Sequence, residues 1–308
     1  MPPANTGNFS NHLAPGIRAI IGTNLKGSEV FYSKYYDIET SERNFEDYLA
    51  AAGLPIAPQK EQGVAITAID PLEGITKRVT PETWGIGFEV TREAWEDDLY
   101  ASSGSALRDA SNGIADSLRE RVEIEAHRPL NSEGFSGTNF TVLPNDTDTL
   151  FATAHAPVTG GEAASQSNRT DADLSVTTYR TALIRFMNIV NDRGLRIPGY
   201  TTPRTLIVSP TLKYTAMEIV QSTNRPDTAN RVENVSQNET SVSVTPYMTD
   251  TDMWIIQGSK HFMKLLWRWR PRMDNFDDRR KQVATFVGFQ RFKVQPVHWL
   301  GMDGSLGV

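Results

Sequence analysis

The spacing of apolar positions changes repeatedly along this chain, and each change marks a different kind of element. From Trp84 to Thr91, the residues Trp84, Ile86, Phe88 and Val90 alternate with Gly85, Gly87, Glu89 and Thr91, the period of a half-buried strand. Upstream, Val64, Ile66 and Ala68 alternate with Ala65, Thr67 and Ile69, and Asp70-Pro71-Leu72-Glu73-Gly74 supplies turn chemistry. These runs predict a long hairpin over Val64–Thr91. An isolated hairpin is marginal in water, so it is expected to lie on a partner surface. The period then lengthens. Trp95 and Leu99 lead into a helix expected from about Ser103 to Arg128, with Leu107, Ala110, Ile114, Leu118, Val122 and Ala126 on one stripe. Pro129 ends it. At ~1.5 Å per residue this strut is about 40 Å long.

Before the hairpin, residues 1–55 read as an arm. Pro2, Pro3, Gly7, Pro15, Gly16 and Gly22 surround a short apolar patch, Ile17–Ile21, and Phe31, Tyr32, Tyr35, Tyr36, Phe45 and Tyr48 follow. These aromatics are too sparse to close a core alone, so they are expected to bury against the body or a neighbour. After the long helix, residues 131–172 are mostly loop, apart from Thr149–Ala152. A helix is then expected from Asp173 or Ser175 to Arg193, burying Val176, Tyr179, Leu183, Phe186 and Val190, with Gly194 beyond its end. Thr205–Val208 reads as a buried strand, and Ser209-Pro210 opens a helix to about Ser222. A polar stretch, Thr223–Glu239, precedes two strands at Ser241–Thr245 and Met253–Ile256. Leu265–Arg270 and Val283–Phe289 are strand-like, and Phe292, Val294 and Val297 continue that pattern. Helices and strands follow no βαβ rhythm, so the fold class is α+β.

Composition narrows the function. The 308 residues are 39% apolar and 22% charged, as in soluble globular proteins, and no run suits a membrane span. The polar, Pro-rich start lacks the marks of a signal peptide. Cysteine is absent, which excludes disulfides and thiolate metal sites and fits a reducing cytoplasm. The formal charge of −6 argues against a tight grip on nucleic acid but suits the wall of a container for it.

Motifs for chemistry are missing. His12, His127, His155, His261 and His298 have no HExxH or HxxxH spacing, and there is no phosphate loop or nucleophile elbow. The pairs Asp146/Asp148, Asp171/Asp173 and Asp250/Asp252 lack the further oxygen ligands of a calcium loop and read as turns and caps. No catalytic residue, cofactor or metal ligand is expected. Trp267 and Trp269 interleave with Arg268, Arg270 and Arg272 as single-strand nucleic-acid platforms do. The plainer reading puts both Trp side chains in the core. The alternative is weak, sequence-independent contact with DNA.

Taken in order, an arm, a hairpin, a strut helix, a helix–strand–helix lobe and closing strands resemble the major capsid fold of tailed phages, the Hong-Kong-97 type. Val64–Thr91, leading through Glu93–Asp98, resembles the family's E-loop running into its spine helix. Arg204–Thr211 resembles the central strand of its axial (A) domain, and Val244–Gly258 its following strand pair. Leu150–His155 and the helix after it resemble Mu-like major head subunits. The resemblance implies an arm at 1–55, an E-loop hairpin at 56–92, a P-domain with the spine helix at 93–145, an A-domain at 146–262 and a return to the P-domain at 263–308. It also implies hexamers and pentamers closing an icosahedral shell around double-stranded phage DNA. The subunit would be assembled in the bacterial host cytoplasm and located in the virion, with no membrane partner. The implied partners are other copies of the chain, a scaffolding protein, a portal and a decoration protein. Phe31, Tyr35, Tyr36, Trp84, Ile86 and Phe88 are the expected packing anchors of inter-subunit contact. Two features depart from some relatives: the chain shows no extra helical N-terminal segment, and no Lys–Asn pair for crosslinking, Lys60 and Lys77 reading as solvated. An encapsulin-type compartment built on the same fold is the alternative. A hydrolase would need two acids in one pocket, which the scattered acids do not suggest.

Overall fold

The structure, a computed structural model, describes residues 30–66, 68–93, 105–224, 233–278 and 280–307, without the side chains of 51–53, 105–109 and 277. The expectations for residues 1–29, for Trp95 and Leu99, for the side chain of Leu107, and for residues 225–232 lie outside that set.

In chain order the elements begin with β1 (Asp37–Thr40), β2 (Glu46–Gly53), β3 (Leu72–Val79), β4 (Glu82–Thr91) and the long helix α1 (Ser105–His127). Short pairs follow, β5 (Thr141–Val142), β6 (Asp148–Thr149) and β7 (Arg169–Thr170), then α2 (Val176–Asn188), β8 (Pro203–Val208) and α3 (Lys213–Gln221). The chain closes with β9 (Ser241–Val244), β10 (Trp254–Gly258), β11 (Met263–Asp278), β12 (Val283–Pro296) and β13 (Met302–Ser305). Mixed helix and sheet in this arrangement is α+β.

One lobe is a four-stranded sheet in the order β1-β11-β12-β4, with α1 across one face. Its spine is the antiparallel β11–β12 hairpin, paired from Met263↔Pro296 to Asp278↔Val283. The helix stripe lands as expected: Ile114, Leu118, Val122 and Ala126 are all buried. The closest approach is at Gly288, where a methyl group would sit 2.3 Å from Ile114 Cγ2. Two residues on, the buried Gln290 donates its amide to the Leu118 carbonyl at 2.8 Å, tying sheet to helix.

The other lobe is a five-stranded sheet in the order β7-β13-β10-β8-β9. Leu206, Ile207, Val208, Trp254, Ile255 and Ile256 are fully buried in it, and α2 covers it with Tyr179, Leu183 and Phe186. Ser175 caps α2 as expected: its hydroxyl accepts from the Thr178 amide, and the Thr178 hydroxyl accepts from the Ser175 amide. The helix stops at Asn188, short of the expected Arg193. Asn191 is the cause, because its side-chain oxygen captures the amides of Arg193 and Leu195 and bends the chain, with Gly194 at φ +76° completing the turn. Ser209-Pro210 likewise makes a turn first. The Ser209 hydroxyl donates to the Thr251 carbonyl, and α3 begins only at Lys213.

Two expectations about strand pairing and facing also fail. The hairpin over Val64–Thr91 does not form. β3 pairs with β2 (Glu46↔Val79 to Gly53↔Leu72), and β4 pairs with β12 (Glu82↔Phe292 to Thr91↔Val283). Alternation fixes a strand's faces but not its partner. Thr80-Pro81 passes the chain from one sheet to the next instead of folding it back, and Val64–Ile66 and Ala68–Ile69 are irregular. The pair Trp267 and Trp269 is also split. Trp267 is buried, but a register shift between 267 and 269 puts Trp269 opposite Arg291, half-exposed between Arg272 and Arg291 (4.8 and 5.5 Å from ring centre to guanidinium carbon). An extra residue in one strand reverses the facing of everything beyond it.

Candidate inter-subunit surface

The expected anchors divide into groups with different surroundings. Tyr35 and Tyr36 are buried within their own chain, and Phe31 is half-buried beside them. The Tyr35 hydroxyl meets Ser243 Oγ at 2.7 Å, its carbonyl accepts from Gln257 at 2.8 Å, and the Tyr36 hydroxyl donates to the Ala126 carbonyl. Burial pushes the Tyr36 phenol well above its ordinary range. Trp84 is half-buried under the guanidinium of Arg121, whose carbon lies 3.6 Å from the ring centre. Phe88 stacks on Phe286 with centroids 5.2 Å apart and packs against the cluster of Ile114, Leu118 and Met273. Ile86, opposite Gly288, keeps 44% of its surface exposed. Because β4 is a sheet strand facing α1, Trp84 and Phe88 spend their apolar area inside the subunit; the projecting hairpin that was to carry them outward is absent.

What projects instead is the β2–β3 ribbon and the connection at its tip, residues 54–71. Ile66 is 79% exposed and Ile56 73%, and Leu54, Val64 and Ile69 are exposed beside them. The segment curls round a concavity of about 420 Å³ that these residues line together with Pro55. Leu54 and Ile56 were not singled out from the sequence. The available signal was apolar residues set among Pro55, Pro58, Gln59, Lys60 and Glu61, which can enter neither a helix nor a strand core.

The ribbon's root is held firmly. Lys77 is buried, not solvated: its ammonium donates to Thr141 Oγ1 at 2.9 Å and pairs with Asp146, pinning β3 to the β5–β6 turn. Arg78 pairs with Asp47 across the ribbon at 2.8 Å and lies over the Phe45 ring. Gly74 makes a close approach possible, since a methyl group there would meet Val158 Cγ1 at 2.6 Å and Ala50 at 2.8 Å. Arg193, from the turn after α2, reaches the Asp70 carbonyl and pairs with Glu162. The ribbon thus combines a tightly bonded root with an exposed apolar tip.

Chemistry has little to work with. Among the described residues no group of His, Asp and Glu converges to hold a metal ion. His127 and His155 are buried, and burial lowers each to about 4, so both are neutral at pH 7. His127 bonds the Glu123 carbonyl and Thr245, and His155 bonds Asn168 and stacks on Trp299. These are structural posts.

Comparison with known proteins gives the arrangement a lineage. The profile of a family described as phage capsid protein matches residues 74–302. The mature capsid of bacteriophage PhiM1 superposes at TM-score 0.59, with 10% identity, over 90% of this chain and 87% of that one. The capsid of a native GTA particle gives 0.54 at 13% identity, over 91% of each chain. A virus-like particle from Pyrococcus furiosus gives 0.50 at 11% identity, over 94% and 97%. No curated protein matches the chain.

Proposed function

The chain belongs to the phage capsid protein family, and from that premise we propose that it is the major shell subunit of a tailed-phage head, closing with copies of itself into hexamers and pentamers around double-stranded DNA. In this proposal the β2–β3 ribbon, residues 46–79, takes the place of the E-loop. The β1-β11-β12-β4 sheet with α1 is the P-domain, and the five-stranded sheet with α2 and α3 is the A-domain. Phe31, Tyr35 and Tyr36 anchor the arm's root in its own subunit. Scaffolding, portal and decoration proteins are the further partners, and the finished particle is the virion.

The observation that carries the reading is the ribbon tip. A chain of 308 residues with an ample core leaves Ile56 and Ile66 about three-quarters exposed on a firmly rooted projection (73% and 79%). Covering side chains of this size is worth about 1.5–3 kcal/mol each, and a second copy offers the surface. The test is the double variant Ile56→Asp/Ile66→Asp. Its unfolding free energy should stay within about 0.5 kcal/mol of the parent, as for exposed positions. Negative-stain microscopy should show shells for the parent and none for the variant. Normal shells from the variant would remove the tip as the contact.

A second reading, an encapsulin-type compartment, is favoured by the likeness to the Pyrococcus furiosus particle. Particles made alongside their neighbouring genes separate the two. Nuclease-protected duplex DNA inside marks a phage head, and an enclosed protein cargo marks a compartment.

A further inference from the structure

The reading above gives no task to a buried carboxylate at the far end of the long helix. Glu123 on α1 is 1% exposed. One oxygen accepts from the Phe31 amide at 2.8 Å and the other from the Tyr32 amide at 3.1 Å. Among the described residues no Lys or Arg forms a salt bridge with it; His127 lies 3.7 Å away, and Arg119 and Glu120 act on it at longer range. Burial raises the Glu123 pKa, and with His127 neutral at pH 7 the two backbone amides are the hydrogen-bonding groups that counter it by favouring the carboxylate.

The segment that supplies those donors touches both lobes. Towards α1 it gives Glu123 its amides and Ala126 the Tyr36 hydroxyl. Towards the five-stranded sheet the Tyr35 hydroxyl shares a hydrogen bond with Ser243 on β9, and the Tyr35 carbonyl accepts from Gln257 on β10. A second crossing lies beside it. Thr245 bonds His127, Tyr247 donates to Glu120 at 2.8 Å, and the Phe31 ring meets the Tyr247 ring edge-on at 6.0 Å. We propose that residues 30–36 form a clip fastening the long helix to the five-stranded lobe, with the Glu123 carboxylate as its catch. The seating of residues 30–36 and the junction of the two lobes are then one mechanical unit. Pulling the arm's root off Glu123 loosens Phe31 from Tyr247, and with it the second crossing.

This inference goes beyond the shell reading and is tested on the free subunit, so it fails or survives separately from assembly. Hydrogen exchange of the full chain, followed by mass spectrometry with overlapping peptides across 30–36, reads the Phe31 and Tyr32 amides directly. A hydrogen bond to a charged acceptor protects an amide by roughly ten- to a hundredfold. In Glu123→Ala those amides should exchange faster by about that factor, with smaller acceleration at 245–247, while β8 and β10 keep the parent's rates. Glu123→Gln, which keeps one acceptor oxygen, should recover part of the protection and serves as the milder variant if the alanine chain folds poorly. Unchanged exchange at 31–32 in both variants overturns the clip. Acceleration spread evenly through β8 and β10 also overturns it, because Glu123 would then be an ordinary support of the whole fold.

Discussion

Adding a single methyl group at Gly288 should lever the long helix off its sheet. Gly288 sits on β12 with no positive φ to require glycine, so its smallness serves packing alone. A Cβ there would lie 2.3 Å from Ile114 Cγ2 and 3.1 Å from Leu118 Cδ1. Carbon atoms rest at about 3.5–4.0 Å, so the helix or Ile114 must retreat by more than roughly an ångström. Neither has room, since Ile114, Leu118 and Phe286 are each 2–3% exposed. Overpacking of this kind costs about 1–3 kcal/mol, and losing a glycine from the unfolded chain returns about 0.4–1. Gly288→Ala should therefore destabilise the subunit by about 1–2 kcal/mol. The cause is identified by Ile114→Ala, which removes the obstructing carbon and alone costs about 2–5 kcal/mol. The double variant should be more stable than the sum of the two by about 1 kcal/mol or more. Urea denaturation followed by circular dichroism measures this as a shift in midpoint at constant slope. A neutral Gly288→Ala, or strict additivity, would show that the helix does not rest on β12 at this point.

Two further predictions concern buried charge. His155 titrates at about 4 in the fold and near 6.5 unfolded, so between those values only the unfolded chain takes up its proton, and stability falls as pH falls. In His155→Gln the decline between pH 6.5 and 4.5 should be shallower than in the parent by about 1 kcal/mol per pH unit, and identical slopes in urea titrations would refute it. Arg185→Ala strands the fully buried Asp303, which it grips through two bonds of 2.9 and 2.6 Å, and should cost about 3–5 kcal/mol at pH 7. Because burial pushes Asp303 up to about 6, protonation should relieve part of that loss at pH 5; a loss equal at both values would sink the argument.

The sequence was most informative where one period ran uninterrupted within one lobe. The stripe Ile114, Leu118, Val122, Ala126 and the run Thr205–Val208 are found where the pattern puts them, because burial on one face or both dictates those residue types. Partnership was not legible. The alternation of Trp84, Ile86, Phe88 and Val90 is real, yet nothing in it says that the other side of the pairing comes from Val283–Phe292, almost two hundred residues later in sequence. Local capture also escaped the pattern, as when Asn191 takes two amides and ends α2 early. The hairpin expected over Val64–Thr91 was likewise not legible as two strands belonging to two different sheets. The ribbon tip proposed in its place carries apolar residues without any period, since they do not enter the subunit's own core.

The place of β13 has a consequence for how such a chain is made. Residues 302–305 are wholly buried and lie between β7 and β10, so the second lobe is stitched shut by a strand encoded about three hundred residues after the start. A fragment ending before Met302 would leave β10 with an open ladder and Asp303 missing from its grip on Arg185. Such long-range closure is slow relative to helix formation, and the packing of the whole five-stranded lobe waits on a strand that comes after every other strand of its sheet.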